Sequence, residues 1–418
     1  MNNNIKTDTY TVKVTARDFH LWKESRPQLT HLDIELTERC NNNCIHCYIN
    51  LPANDHRALE KETTTEGIKN ILREAVSLGC LYVRFTGGEP LLRNDFKELY
   101  ILARKLGLKV IIVTNATLIT PSIVDLFLQF PPLEKIQITV YGMKKSSYEA
   151  ITRSTGSFAA AFRGINLLYR KNIPFVVRSV FLPPNISEIE TFESWASTIP
   201  WMEKPPSYSF LYNLRARRDS SKKNSEIKKL RLSPLHASEF FSTKPDEYIR
   251  VMKNFCSNFI GPPGKNLFTC GAGIRSCCVD AYGNIQPCIL IRHPQVVINL
   301  KEQSMADSLT YFFPKIRHMK AQNPAYLSRC AICFLKGLCH QCPARSWMEH
   351  GTLDSPVLYL CEVAHNQARY LGLLGKKENA WEVKDWPYRI NNFLSGGTQS
   401  LNNSKSVPYN YQSKFSTP

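Results

Sequence analysis

The chain has 418 residues, 43% of them hydrophobic, and a formal charge of +18. That length allows one large or two ordinary domains with a sizeable core. No apolar run approaches the ~18 residues that cross a membrane. The start, Met1-Asn-Asn-Asn-Ile-Lys-Thr-Asp, lacks the apolar segment of a signal peptide, so a soluble cytoplasmic protein is expected. Its 14 cysteines should then stay reduced. Most are clustered at short spacings, which favours metal over disulfides. The basic balance fits a solvated surface or an acidic partner. No base-reading motif supports nucleic acid as a partner.

Residues 1–29 carry one short alternating run, Tyr10–Thr15, readable as an edge strand. From about 30 to 213, strands and helices alternate. The predicted strands are Leu32–Leu36, Leu81–Phe85, Lys109–Thr114, Lys135–Tyr141, Phe175–Phe181 and one near Tyr208–Tyr212. The predicted helices are Thr65–Leu78, Asp95–Leu106, Pro121–Phe130, Phe158–Lys171 and one near Glu188–Ser197. Six such units imply an α/β fold with a parallel sheet and right-handed crossovers. Six fall short of the eight in a closed barrel, so a partial (β/α)6 barrel is expected. Residues 214–264 form a basic linker, with Arg215, Arg217, Arg218, Lys222, Lys223, Lys228, Lys229 and Arg231 readable as a solvated face or a peptide-docking patch. Residues 265–365 are cysteine-rich with little regular periodicity. Residues 366–418 read as a helix and tail, disordered near the end.

Three constellations carry chemistry. The first is Cys40-x3-Cys44-x2-Cys47, straight after the first strand. Ligands in parallel α/β proteins sit at that end of the strands. Three thiolates leave a metal one position open, which suits reaction chemistry. Only His46 could complete a zinc site locally, and it is crowded between cysteines. The second is Thr86-Gly87-Gly88-Glu89-Pro90, ending the second strand. Its glycines let backbone approach closely, and Glu89 could hold an ammonium group. The third is Cys270, then Gly283-x4-Cys288, then Cys330-x2-Cys333-x5-Cys339-x2-Cys342, then Cys361.

The first two together, in this strand order, resemble the radical S-adenosylmethionine (SAM) superfamily over residues 30–213. The third resembles the SPASM domain that follows such cores. The resemblance implies that Cys40, Cys44 and Cys47 bind a [4Fe–4S] cluster whose open iron takes the amino and carboxylate groups of SAM. Reductive cleavage then yields a 5′-deoxyadenosyl radical. Gly87, Gly88 and Glu89 match the turn holding the SAM amino group. His46 matches a position beside the adenine. Asn115 and Thr139 match strand-end positions near the SAM methionine and ribose, where a local backbone role is the plainer reading. Many relatives have Ser-x-Asp-Gly where this chain has Thr139-Val-Tyr141-Gly142. Arg178 and Ser179 could face either side of the sheet. SPASM domains hold two auxiliary [4Fe–4S] clusters. By analogy Cys270, Cys288, Cys342 and either Cys277 or Cys278 ligate one. Cys330, Cys333, Cys339 and Cys361 ligate the other. The Cys339–Cys342 spacing is one residue shorter than the family pattern. Cys80 and Cys256 read as core.

The resemblance further implies an enzyme that modifies a peptide or protein, by cross-link, thioether or residue oxidation. Reduced ferredoxin or flavodoxin would supply electrons. The 31 residues before Leu32 are too few for a winged-helix leader-binding domain, so a peptide would come through a separate leader-recognition protein. The alternatives are sulfatase-maturase-like protein oxidation, a small-molecule or cofactor-biosynthesis enzyme, and a noncatalytic iron–sulfur or zinc scaffold. The Gly87-Gly88-Glu89 turn argues against the scaffold.

Overall fold

The computed structural model describes residues 28–209, 211–235 and 245–396. The expected strand at Tyr10–Thr15 and most of the tail lie outside them. The chain forms two compact units that interleave in sequence. The larger comprises residues 1–233, 265–327 and 341–357, and the smaller 234–264, 328–340 and 358–418. The cysteine-rich segment, read in sequence as one block, is therefore divided between the two.

The larger unit is built on one mostly parallel sheet. Its strands are β1 (His31–Thr37), β2 (Tyr82–Gly87), β3 (Lys109–Thr114), β4 (Ile136–Thr139), β5 (Phe175–Val180), β6 (Ser207–Ser209), β7 (Ser276–Val279), β8 (Asn284–Gln286) and β9 (Ile298–Asn299). They are ordered β9-β8-β7-β1-β2-β3-β4-β5-β6, parallel from β7 through β6. The six-strand series runs as the alternation predicts. The last three strands do not appear in the sequence pattern, because no α-helix separates them and the strand–helix alternation that marks the others is absent.

Alternation decides which side chains meet the helices. Leu32, Ile34 and Leu36 of β1 line one face with Val83, Phe85, Val110 and Ile112. Helix α1 (Thr65–Ser77) covers this face with Ile68, Ile71, Leu72 and Ala75. Thr64 caps its start, accepting from the Gly67 N–H. Helix α2 (Phe96–Lys105) adds Phe96, Leu99 and Tyr100, and α3 (Pro121–Gln129) starts at a proline behind the Thr120 cap. Helix α4 (Lys145–Thr152) was not legible in sequence; α5 (Ser157–Arg170) and α6 (Ile189–Ala196) were. On the opposite face, β1 presents Asp33, Glu35 and Thr37. All three are buried.

The smaller unit packs α7 (Pro245–Phe259), α8 (Leu358–Tyr370) and α9 (Trp386–Ser395) around Met252, Cys256, Phe334, Leu335, Leu338, Ala364, Ala368 and Ile390. Cys256 is core, as the sequence indicates. Among the described residues no helix is long and apolar enough to cross a membrane.

The tightest approach in the larger unit is made by the Gly87–Gly88 turn, which lies on the backbone entering the first cysteine. Gly87 has φ +118°, and a Cβ there would collide with the Thr37 carbonyl; one on Gly88 would collide with the Arg39 carbonyl. Gly88→Ala should therefore cost about 1–3 kcal/mol through overpacking. Gly271→Ala has open space around it and should leave the thermal midpoint unchanged. Equal midpoints for the two variants would contradict this packing.

Candidate functional site: a three-thiol loop over the strand ends

Cys40 ends a two-residue strand, Arg39–Cys40, that pairs with Leu51–Pro52. The Cys47 N–H donates to the Cys44 carbonyl at 3.2 Å. Burial pushes the Cys44 thiol up to about 12 and raises Cys40 further. Such thiols become thiolates only when a metal takes the proton's place. Among the described residues, no three Cys, His, Asp or Glu side chains converge on a single-ion position.

The glycine turn holds this loop by backbone bonds. Gly88 N–H donates to the Thr37 carbonyl at 2.7 Å, and Glu89 N–H to the Arg39 carbonyl at 3.0 Å. Arg39 is locked by Glu62 at 2.8 Å, and Glu62 also faces Arg93 at 3.5 Å. Arg93 in turn donates to the Leu36 and Thr63 carbonyls, both at 3.1 Å.

Glu89 is fully buried. Its carboxylate accepts from Leu91 N–H at 3.1 Å, Thr114 Oγ1 at 2.8 Å and Asn115 N–H at 2.9 Å. All three donors are neutral, and burial raises its pKa to about 7. Among the described residues no cation pairs with this carboxylate, and such a buried group fits an incoming ammonium. Asn115 ties the same corner. Its Nδ2 donates to Asn41 Oδ1 at 3.0 Å and reaches Cys40 Sγ at 3.8 Å, while its Oδ1 accepts from Thr117 N–H at 2.9 Å. Thr139 accepts from Arg178 Nε at 3.4 Å. Arg178 therefore lies on the Thr139 side of the sheet, away from the helices. The His46 ring sits 5.8 Å from Tyr141 and 5.5 Å from Tyr212. Burial lowers its pKa to about 4, so it is neutral near pH 7, and its Nδ1 is buried without a hydrogen bond.

Three features escaped the sequence. Arg292 pairs with Glu35, both almost wholly buried. Arg217 bridges Glu38 at 2.7 Å and Asp280 at 2.9 Å, and stacks on Tyr282. Arg215, also buried, donates to Asp219 and to the Asn50 carbonyl beside the cysteine loop. The basic segment is thus largely bound within its own unit. Arg218 meets the Trp347 carbonyl, and Arg231 meets Glu349. Arg215 finds its acid four residues on, at Asp219, but the acids that meet Arg217 and Arg231, namely Glu38, Asp280 and Glu349, lie far away in sequence.

The other cysteines fall into two groups. In the larger unit, Cys288 shares an electrostatic neighbourhood with Cys270 and Cys342. Cys277, expected among the ligands, does not join them. It pairs in register with core residue Leu32 and faces Cys80 and Glu74. Cys278 points the other way, toward Glu35, Arg292 and Gln286. In the smaller unit, Cys330, Cys333, Cys339 and Cys361 are mutual neighbours. There His365 Nε2 accepts from Ala380 N–H, so its Nδ1 carries the proton donated to the Cys361 carbonyl at 2.8 Å.

Residues 34–196 match the profile of the radical SAM superfamily. The chain contains a radical SAM domain. It is 27% identical over 337 residues to the AdoMet-dependent heme synthase of Methanosarcina barkeri, covering 76% of this chain and 92% of that protein. It is 25% identical over 332 residues to the mycofactocin maturase MftC of Mycolicibacterium smegmatis, covering 77% and 80%. The fold resembles that of SAM-bound anSMEcpe, with TM-score 0.56, 16% identity and coverage of 88% and 96%. It also resembles Streptococcus suis SuiB bound to its precursor peptide SuiA, with TM-score 0.54, 19% identity and coverage of 78% and 74%. Enzymes of this superfamily bind a [4Fe–4S] cluster and SAM.

Glu89 makes the cluster-free protein pH-sensitive. Its folded pKa, near 7, lies above the ordinary 4.5. The protonated form is therefore favoured by folding; its contribution is complete below pH 4.5 and lost as pH rises through 7. Relative to Glu89→Gln, wild-type stability should fall by about 3 kcal/mol across that window. Denaturation curves with parallel pH dependence would refute the assignment.

Proposed function

We propose that the chain cleaves SAM reductively at Cys40, Cys44 and Cys47 and directs the resulting radical at a peptide or protein, forming a cross-link or thioether or oxidising a residue. Bound there, the cluster and SAM supply a 5′-deoxyadenosyl radical, which no side chain can generate. The chain's own parts place and enclose it. Glu89, buried among neutral donors, receives the SAM ammonium beside the Gly87–Gly88 backbone. Asn115 fixes Cys40, Thr139 faces the ribose, and neutral His46 lies by the adenine.

We assign Cys330, Cys333, Cys339 and Cys361 to one auxiliary [4Fe–4S] cluster, and Cys270, Cys288 and Cys342 to another. Their grouping in the two units supports this. Reduced ferredoxin or flavodoxin donates the electrons, and a separate recognition protein delivers a leader-bearing peptide. The observation that carries the peptide reading is the similarity to MftC across 80% of that protein. A tetrapyrrole substrate is the second reading, favoured by the match to 92% of a heme synthase.

Reconstituted anaerobically, the protein should bind about twelve iron atoms, on the premise of three cubane clusters; about four would remove both auxiliary sites. Cys277→Ser should keep the full iron content. With reductant and SAM, wild type should release 5′-deoxyadenosine, and Cys40→Ala/Cys44→Ala/Cys47→Ala should release none. Persistent cleavage in that triple variant would sink the core assignment. Substrate should accelerate the release. Acceleration by iron tetrapyrroles, and not by short peptides encoded beside the gene, would select the second reading.

A further inference from the structure

The face of the sheet opposite the helices carries charge, and the registers show which residues share it. Asp33 of β1 stands beside Arg84 of β2, and Thr139 of β4 beside Arg178 of β5. The registers of Arg84 with Ile111 and of Val113 with Gln137 put both pairs on that one face. Arg178 is level with Thr139, the last residue of β4, at the strand end where the three-thiol loop sits. Tyr141, two residues on, stands 5.8 Å from the His46 ring of that loop. Other arginines here meet acids. Arg84 pairs with Asp33, Arg217 with Glu38 and Asp280, and Arg292 with Glu35. Among the described residues, Arg178 meets no carboxylate. Its one hydrogen bond among them is the long contact from Nε to Thr139 Oγ1 at 3.4 Å, which engages neither terminal nitrogen. The side chain is half-buried. Burial lowers its pKa, and the groups around it, Tyr141, Arg84 and Tyr48, include no acid to offset that.

We infer that Arg178 anchors a carboxylate of the substrate, so that the compound attacked by the radical is an organic acid. The inference rests on the proposed function and narrows its substrate class. A guanidinium keeps its charge inside a protein. Holding such a charge away from water without a counter-ion is costly, and an arriving anion offsets that cost. The two free terminal nitrogens form a planar fork that matches a carboxylate bidentately. A bidentate pair fixes direction as well as place, and the radical can then meet one hydrogen of the substrate rather than several. Asp33 already occupies Arg84, so the unneutralised positive charge on this face falls at Arg178. The carboxylate has two sources, an acidic side chain or C-terminus of a peptide, or the propionate of a tetrapyrrole.

The test titrates substrate into the full-length reconstituted protein and reads the 5′-deoxyadenosine released. Two probes carry the carboxylate: the short peptides encoded beside the gene, and an iron tetrapyrrole with free propionates. Each has a neutral counterpart. The peptides are remade with Asn and Gln for Asp and Glu and an amidated C-terminus, and the tetrapyrrole is used as its methyl ester. Whichever acid accelerates release identifies the source. Wild type should then need about 10–100-fold less of that acid than of its neutral form, the worth of a charged hydrogen-bonded pair. Arg178→Met should lose this discrimination, and Arg178→Lys should recover part of it. Discrimination that persists in iron-replete Arg178→Met overturns the inference. So does a wild type that takes the acid and neutral forms alike, a comparison that needs no variant. A variant that needs more SAM but still discriminates would place Arg178 on SAM and overturn it too. If wild type cleaves SAM and neither acid accelerates it, the inference falls while the radical chemistry stands. No cleavage at all would sink the proposed function beneath it.

Discussion

Everything at the site depends on one close contact, where the Gly87–Gly88 turn lies against the backbone from Thr37 to Arg39. It joins the end of the second strand to the loop that starts at Cys40. The pairing of Gly88 with Thr37 and of Glu89 with Arg39 carries strand geometry past the strands themselves. A loop bearing three thiols would otherwise be among the more mobile parts of such a fold. Here it inherits the rigidity of the sheet. The glycines are required for backbone to approach backbone, which places the turn's outer edge where a ligand can approach as well.

The same region buries an unusual amount of charge. Arg39 with Glu62 and Arg93, Arg217 with Glu38 and Asp280, and Arg292 with Glu35 all lie within or beside the first strand's end. Buried pairs contribute little net stability over well-packed apolar groups, but they penalise misregister heavily. Their partners come from far along the chain. They therefore tie the cysteine loop to segments near 217, 280 and 292. Arg292 and Gln286 keep buried polar atoms without hydrogen bonds, as does Glu35 Oε1. Glu35 is raised to about 7 by burial, against the opposing pull of Arg292. This face is polar and incompletely satisfied, in contrast to the helix-covered face with its Leu32, Val83 and Val110.

Local signals made much of this legible. The six-strand series was visible because most of its strands are followed by an amphipathic helix. The triplet and the glycine turn were visible because their spacing is set by local geometry. Glu89 stood out in the sequence, but not the way its carboxylate is engaged. Its three donors include Thr114 and Asn115, which belong to a different strand. The buried arginines were misread as a surface patch for the same reason, since their partners lie more than 60 residues away in several cases. Charge runs in sequence carry no information about distant acids. Strands β7 to β9 were missed because no α-helix separates them, and β7 joins β1 only in three dimensions.

The cysteines of the third constellation show that one linear run of spacings can span two groups. Cys330, Cys333 and Cys339 belong to the smaller unit with Cys361, whereas Cys342 belongs to the larger one with Cys270 and Cys288. The run C-x2-C-x5-C-x2-C therefore joins two different groups. On the proposed assignment, spacings within one group would be constrained by the corners of a single cluster. The step from Cys339 to Cys342 is not; it only has to carry the chain from one unit to the other. On that assignment a one-residue departure from the family pattern at this step is tolerable, whereas the same change between Cys330 and Cys333 would alter the proposed ligand geometry directly. The pairing of Cys277 with Leu32 follows the same logic. A strand register set by β1 turns that thiol toward the helices, regardless of how close it stands to Cys270 in sequence.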